Sequence, residues 1–269
     1  MRVATLLSLA CALQLPLHAA AVEPSAEPTA NELAASARAA LFASNVVEVW
    51  QTDWQGLELT LGVARRWESG EPQVLLRILK PYKYSELAYL LRPRKAGGPR
   101  IEYYRSPRMF PAGARAGRTL EVTTASRIER LRFVPGLPTL ADLWPEDPAG
   151  FRYARLPDEQ VEGVPCRVLE TRPIEADGGY DRIVTALARD SSVALETRWF
   201  RGERQVRRIA VQPQDVEKVD GKSVVRKRLI EQQGSPPQSV DVVRFSIDPV
   251  FPDQLFTTSN LRTGRFPSY

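Results

Sequence analysis

The chain holds a single histidine, His18, and two cysteines, Cys11 and Cys166. His18 and Cys11 both fall in a stretch that reads as a secretory signal. Arg2 supplies the positive start, Val3 to Leu17 is mostly apolar, and Ala19-Ala20-Ala21 offers small residues for cleavage. Export after residue 21 leaves a chain without histidine and with Cys166 as its lone thiol. That excludes a Ser-His-Asp or Cys-His nucleophilic site, a histidine-based zinc site and a CxxC redox pair. Cys11 carries an alternative, because the Ser8-Leu9-Ala10 before it resembles a lipoprotein cleavage box. Serine, however, stands where leucine is usual, and the apolar core would be only about eight residues long. Cys166 lies in Val164-Pro165-Cys166-Arg167-Val168-Leu169, where alternation sets Val164, Cys166 and Val168 on one apolar face. An inward, inert thiol is expected there.

Carboxylates are the remaining source of acid–base chemistry. Asp142 with Glu146-Asp147 could work as an acid/base pair, as in glycoside hydrolysis. Acidic residues among prolines more often cap helices and form turns, so the expectation is a protein that is not an enzyme and needs no cofactor or metal. The basic residues are nearly all arginine, and the net charge of +5 becomes about +4 once Arg2 is removed. Arg65-Arg66, Arg207-Arg208 and Arg226-Lys227-Arg228 could meet anionic head groups, including peripheral contact with a membrane surface. The simpler reading makes them solvated strand faces balanced by nearby Glu and Asp. No aromatic-plus-basic nucleic-acid motif appears, and nucleic acid is not an expected partner.

The apolar side chains are the more informative set. Leu57, Leu59, Leu61, Val63 and Trp67 alternate onto one face of a single run. Leu87, Tyr89 and Leu91 repeat the pattern, and Leu140, Leu143 and Trp144 form a short apolar patch bracketed by prolines. Together these are the candidate ligand-binding residues, although each alone is ordinary core. Shielding an acyl chain from water is worth about 0.8 kcal/mol per CH2 and needs no reactive group.

The elements that must position them follow from periodicity. Asn31–Phe42 predicts one helix, capped by Thr29 or Asn31, with Leu33, Ala37 and Leu41 at helical spacing. From Val46 the period becomes two. "VVEVWQTDW" and "LELTLGVARRW" flank Gln55-Gly56, a hairpin signal. "PQVLLRILK", "YSELAYLLR" and "RIEYYR" follow. "TTASRIERLRF" could hold a helical turn or two, and Thr139 can cap a brief helix in "TLADLW", a segment that reads as a lid over a sheet. "FRYARL", "PCRVLETRP", "YDRIVTALAR", "VALETRWFR", "RQVRRIAVQ", "KSVVRKRLIE" and "SVDVVRFSI" predict strands with turn signals between them, and "FPDQLFTTSNL" a short helix and final loop. The reading is mainly β, one large antiparallel sheet in a single domain over residues 22–269. No later stretch has the roughly 20 apolar residues that a membrane helix needs.

The order of these features resembles the outer-membrane lipoprotein-sorting family, the LolA-like proteins. "ILKPYKYSELAYLL" resembles the family's "P…kg…LL" step, and "RIEYYRSPRMF" sits where it has an aromatic strand. "VEGVPCRVLETRP" is similar to its "dG..cyvle..p" strand. "YDRIVTALARDSSVALETRWFRGER" is similar to its "Y.r…vd" hairpin, and "DQLFTTSNL" to its "lFt…L" ending. One departure is that Gly136 to Trp144 stands in place of a polar "GSDf.yeDl" stretch, keeping a DL pair and losing the GSD triplet. The resemblance implies a strongly curved, incomplete antiparallel barrel closed by an N-terminal helix and short lid helices, with a cavity that accepts acyl chains. It also implies a periplasmic carrier of lipid or lipoprotein bound for the outer membrane. An alternative is an adaptor that docks an inner-membrane lipid exporter without carrying cargo.

Overall fold

The structure, a computed structural model, describes residues 27–42, 44–54, 56–68, 71–81, 87–93, 100–104, 119–122, 138–139, 141–144, 148–174 and 179–267. Helix α1 (Ala30–Phe42) begins where Thr29 and Glu32 cap each other. The Thr29 backbone N–H donates to Glu32 Oε2 at 2.7 Å, and Thr29 Oγ1 accepts from the Glu32 N–H at 3.3 Å. The bond from the Thr29 backbone holds the Glu32 carboxyl below the usual range. The helix buries Leu33 and Ala34, with Ala30 and Ala37 beside them, against Leu169 and Leu187. Leu41, third in the predicted spacing, is 50% exposed. The buried stripe is therefore 30-33-34-37.

The first half of the chain supplies β1 (Val46–Trp54), β2 (Leu57–Glu68), β3 (Glu71–Lys80), β4 (Ala88–Arg92), β5 (Arg100–Tyr104) and β6 (Thr119–Val122). The second half supplies β7 (Phe151–Val161), β8 (Val164–Pro173), β9 (Arg182–Ala188), β10 (Ala194–Arg201) and β11 (Arg204–Ala210). After these come β12 (Val216–Val219), β13 (Lys222–Val225), β14 (Lys227–Gln232), β15 (Ser235–Ile247) and a closing helix, α2 (Thr258–Thr263). Among the described residues, thirteen strands form one sheet in the order β6-β5-β4-β3-β2-β1-β15-β14-β11-β10-β9-β8-β7. Neighbours pair antiparallel, and the sheet is not closed into a barrel: β6 and β7 are its edges. The fold class is the expected one.

Three expectations on strand limits are corrected. The run "KSVVRKRLIE" is two strands, because its halves pair differently. β13 makes a hairpin with β12, while β14 joins the main sheet. Arg226 sits at the break, its N–H bonded to the Asp215 carbonyl at 2.7 Å. β12 was not expected as a strand; only its turn was signalled, where Asp220 and Gly221 take φ of 48° and 76°, the pattern of a two-residue hairpin turn. β7 continues past Leu156 through Pro157, which an edge strand tolerates where the register shifts between Leu156 and Glu159. The predicted turns within 123–133 lie outside the described residues, as do the signal segment, His18 and Cys11.

Cross-strand partners share a face, so the register divides the sheet into two surfaces. The hydrogen-bonded row Leu169, Thr185, Thr197, Ile209, Ile230, Gln238 runs from beneath α1 toward the middle of the sheet. The same face carries Trp50, Leu59, Leu61, Val74, Leu76, Tyr89 and Leu91, the largest apolar cluster. We call it the lid face, because Leu143 packs there too. The opposite surface, the tail face, is covered in one half by the C-terminal segment, with Phe251, Leu255, Phe256 and Leu261 on Val47, Leu75 and Leu90. Gly62 lies on that face, and Phe266 stacks so closely that a Cβ there would sit 2.4 Å from the ring. In the other half Cys166 and Ala186 pack with Val216 and Val225 of the β12–β13 hairpin.

Candidate functional site

The structure brings most of the candidate residues together. Leu59, Leu61, Val63, Leu87, Tyr89 and Leu91 are all buried in the one lid-face cluster, and half-buried Leu57 packs against it. Tyr89 stacks on Tyr103 at 5.8 Å between ring centroids. Trp67 stands apart at the end of β2, 37% exposed. Leu140 lies outside the described residues. The alternation in β2 could have led to further members of the cluster. Trp50 on β1 pairs with Leu61 on β2, while Val74, Leu76 and Ile78 continue the row on β3. Ile230, Val240 and Val242 join only because β15 and β14 lie beside β1, which local periodicity does not reveal.

Residues 138–139 and 141–144 are built to sit on this surface. Thr139 caps a single 3-10 turn, Ala141–Leu143, as expected. Its N–H donates to Asp142 Oδ2 at 2.6 Å, and its Oγ1 accepts from the Asp142 N–H at 3.4 Å. The turn aims Leu143, 2% exposed, into the cluster, with half-buried Trp144 against it. Asp142 is bound by Arg207 of β11, whose two terminal nitrogens donate to its two oxygens, one at 2.9 Å. Arg207 is itself buried and stacks on the Trp199 ring, 4.5 Å to the centroid. Burial alone would lower the pKa of Arg207, but the Asp142 charge and hydrogen bonds outweigh it and leave it raised. Asp142, a candidate acid/base group in the sequence, thus serves here as a cap and an ion-pair anchor. Glu146 and Asp147 lie outside the described residues. Among the described residues no three His, Cys, Asp or Glu side chains converge on a point that could hold a metal.

The same face carries more charge than an apolar core requires. Glu48 of β1 is buried and bound by Arg65 at 3.1 Å and by the Trp50 indole N–H at 3.2 Å. Arg228 of β14 lies over the other side of this group, 5.2 Å from the Trp50 ring centroid. Arg208, by contrast, is on the tail face and shared between Glu196 and Glu231, the solvated pairing expected of a balanced strand face.

The chain is similar in fold to LolA-like solved structures. One is an outer membrane lipoprotein-sorting protein domain from Vibrio parahaemolyticus, with TM-score 0.70 and 15% identity over 85% of this chain and 97% of that one. A DUF1329 family protein from Desulfovibrio piger gives 0.68 and 17% over 87% of this chain and 100% of that one. A LolA superfamily protein from Nitrosomonas europaea gives 0.63 and 13% over 87% and 99%. At these identities the likeness defines a LolA-like fold. The chain belongs to the family, described as "Uncharacterized protein", whose sequence model matches residues 122–263. No curated protein matches the sequence. Among the described residues no helix is long and apolar enough to cross a membrane.

Proposed function

We propose that the protein is a periplasmic carrier that binds acyl chains of a lipid or lipoprotein on the lid face, beneath Leu143 and Trp144, for transfer toward the outer membrane. The observation that carries this reading is the construction of the lid. A short segment places Leu143 and Trp144 on the largest apolar surface of the sheet and is tied down by the Asp142–Arg207 pair. A covered apolar face held by a separable polar clasp suits a ligand that must be shielded and then released. The LolA-like fold supports the reading, since a solved structure of that fold is described as a lipoprotein-sorting domain. In this structure the lining residues pack on one another, so an acyl chain enters by displacing Leu143 and Trp144. The test is to extract lipid from the purified protein and, after delipidation, to titrate a fluorescent fatty-acyl probe while recording thermal stability. A carrier yields bound lipid, probe binding and a higher melting temperature by mass action, and Trp144→Ala weakens all three. If delipidated wild type shows neither binding nor a shift, the carrier reading fails and the exporter-docking adaptor takes its place.

A further inference from the structure

Among the described residues the lid face carries one cation more than its carboxylates pair. Around Trp50 and the lid it holds three guanidiniums, Arg65, Arg207 and Arg228, and two carboxylates, Glu48 and Asp142. Both carboxylates are taken. Asp142 receives both terminal nitrogens of Arg207 and the Thr139 backbone N–H. Glu48 receives Arg65 and the Trp50 indole. Arg228, whose cross-strand partner Val240 belongs to the apolar cluster, makes no ion pair or hydrogen bond among the described residues. Its one close partner among the described residues is the Trp50 ring. Burial lowers its pKa below the ordinary arginine value, with Glu48 and Asp142 acting in the opposite sense, yet the residue is still partly reached by solvent. One row along β15, on the same face, Gln238 is buried with its Oε1 unpartnered. A side-chain amide can turn to present its NH2 instead. A guanidinium keeps its proton, and its partial desolvation is costly without a counter-ion.

We infer that Arg228, flanked by Trp50 and Gln238, is a head-group site that takes the phosphate or carboxylate of an anionic acyl lipid whose chains lie on the adjoining apolar face. The inference rests on the carrier reading and narrows its ligand to anionic amphiphiles. A guanidinium fork matches a two-oxygen anion, and a charge-assisted hydrogen bond is about twice as strong as a neutral one. The test compares fluorescent phosphatidic acid with fluorescent diacylglycerol of the same chains, on delipidated wild type, Arg228→Gln and Arg228→Lys. Inorganic phosphate is titrated as competitor. Wild type is expected to prefer the anionic lipid by roughly tenfold or more. Arg228→Gln removes that preference while leaving diacylglycerol binding in place, and Arg228→Lys retains part of it. Free phosphate at millimolar concentration competes weakly, which assigns the site to lipid and not to the free ion. Ligand-free Arg228→Gln melts no lower than wild type, because a half-buried cation without a carboxylate partner has been removed; a merely structural arginine would lower it. Equal binding of both lipids by wild type overturns the head-group site and leaves the carrier reading standing. Equal loss of both lipids in Arg228→Gln overturns it also, as does stoichiometric binding of phosphate without lipid. Binding of neither lipid by wild type overturns both readings.

Discussion

At the scale of single residues, Cys166 and Asp142 owe their properties to what the fold places around them. Cys166 has no exposed surface, and its Sγ–H donates to the Val164 carbonyl at 3.4 Å beneath the β12–β13 hairpin. Burial pushes its thiol pKa up, so the folded state favours the neutral form. The stability this provides is complete below the ordinary thiol value and is lost as pH rises through the raised one. The native thiol is therefore expected to resist maleimide or dithionitrobenzoate near neutral pH and to react on unfolding. Cys166→Ala should flatten the alkaline fall in stability at a packing cost of about 1 kcal/mol; rapid labelling of the folded protein would place the residue wrongly. Asp142→Asn leaves Arg207 buried beside a neutral amide. Breaking such a pair costs roughly 3 kcal/mol, read by chemical denaturation. The lid should loosen too, seen as greater quenching of Trp144 fluorescence by acrylamide against a Trp144→Phe background. The double variant Asp142→Asn, Arg207→Gln should recover part of the loss, because the stranded cation is gone.

At the scale of elements, each face of the sheet needs its cover, and the covers are tied down by buried charge. Arg77 of β3 is 2% exposed, and one terminal nitrogen donates to the carbonyls of Asn260 and Leu261 at 2.9 and 3.1 Å. These carbonyls lie toward the C-terminal end of α2, where positive charge is favoured. Glu102 of β5, also buried, is bound by Arg92, by Arg100 at 3.2 Å and by the Thr258 hydroxyl at the start of the same helix. Arg77→Ala removes two charge-assisted bonds and should cost about 3 kcal/mol. The C-terminal segment should then become the first site of limited proteolysis, mapped by mass spectrometry. Wild-type resistance retained in that variant would mean that the apolar contacts of Phe251, Phe256 and Leu261 suffice.

At the scale of the whole molecule, the decisive fact is where β15 lies. It pairs with β1 over Val46↔Ile247 to Gln51↔Asp241 and with β14 on its other side. It thereby joins the strands of the first half to those of the second. One continuous ladder of this kind should unfold as a unit, giving a single calorimetric transition. Contacts some 200 residues apart in the chain also predict slow folding. A chain ending at Gly234 should have no cooperative transition and should bind an exposed-surface dye strongly. Two separable transitions in the intact protein would show that the halves are independent.

What the amino-acid order by itself determined is local. The period-two runs are the strands, the Thr29–Glu32 and Thr139–Asp142 spacings are reciprocal caps, and Asp220-Gly221 turns a hairpin because its backbone accepts positive φ. The one-sided set Leu59, Leu61, Val63 was legible for the same reason, since alternation sorts side chains onto two faces without reference to anything distant. Alternation cannot say what will cover each face. Leu61 lies in the lid-face cluster and Ala64 beneath the C-terminal segment, and nothing near them in sequence distinguishes the two covers. Nor could it split "KSVVRKRLIE", whose halves differ only in which strands they meet. The charged clasp and the lone cation were out of reach for a physical reason. Arg207 finds Asp142 from 65 positions away. Among the described residues, Arg228 is left without a carboxylate because Arg65 and Arg207 have claimed the two nearby. Pairing and desolvation are properties of positions in space, and only tertiary structure decides them.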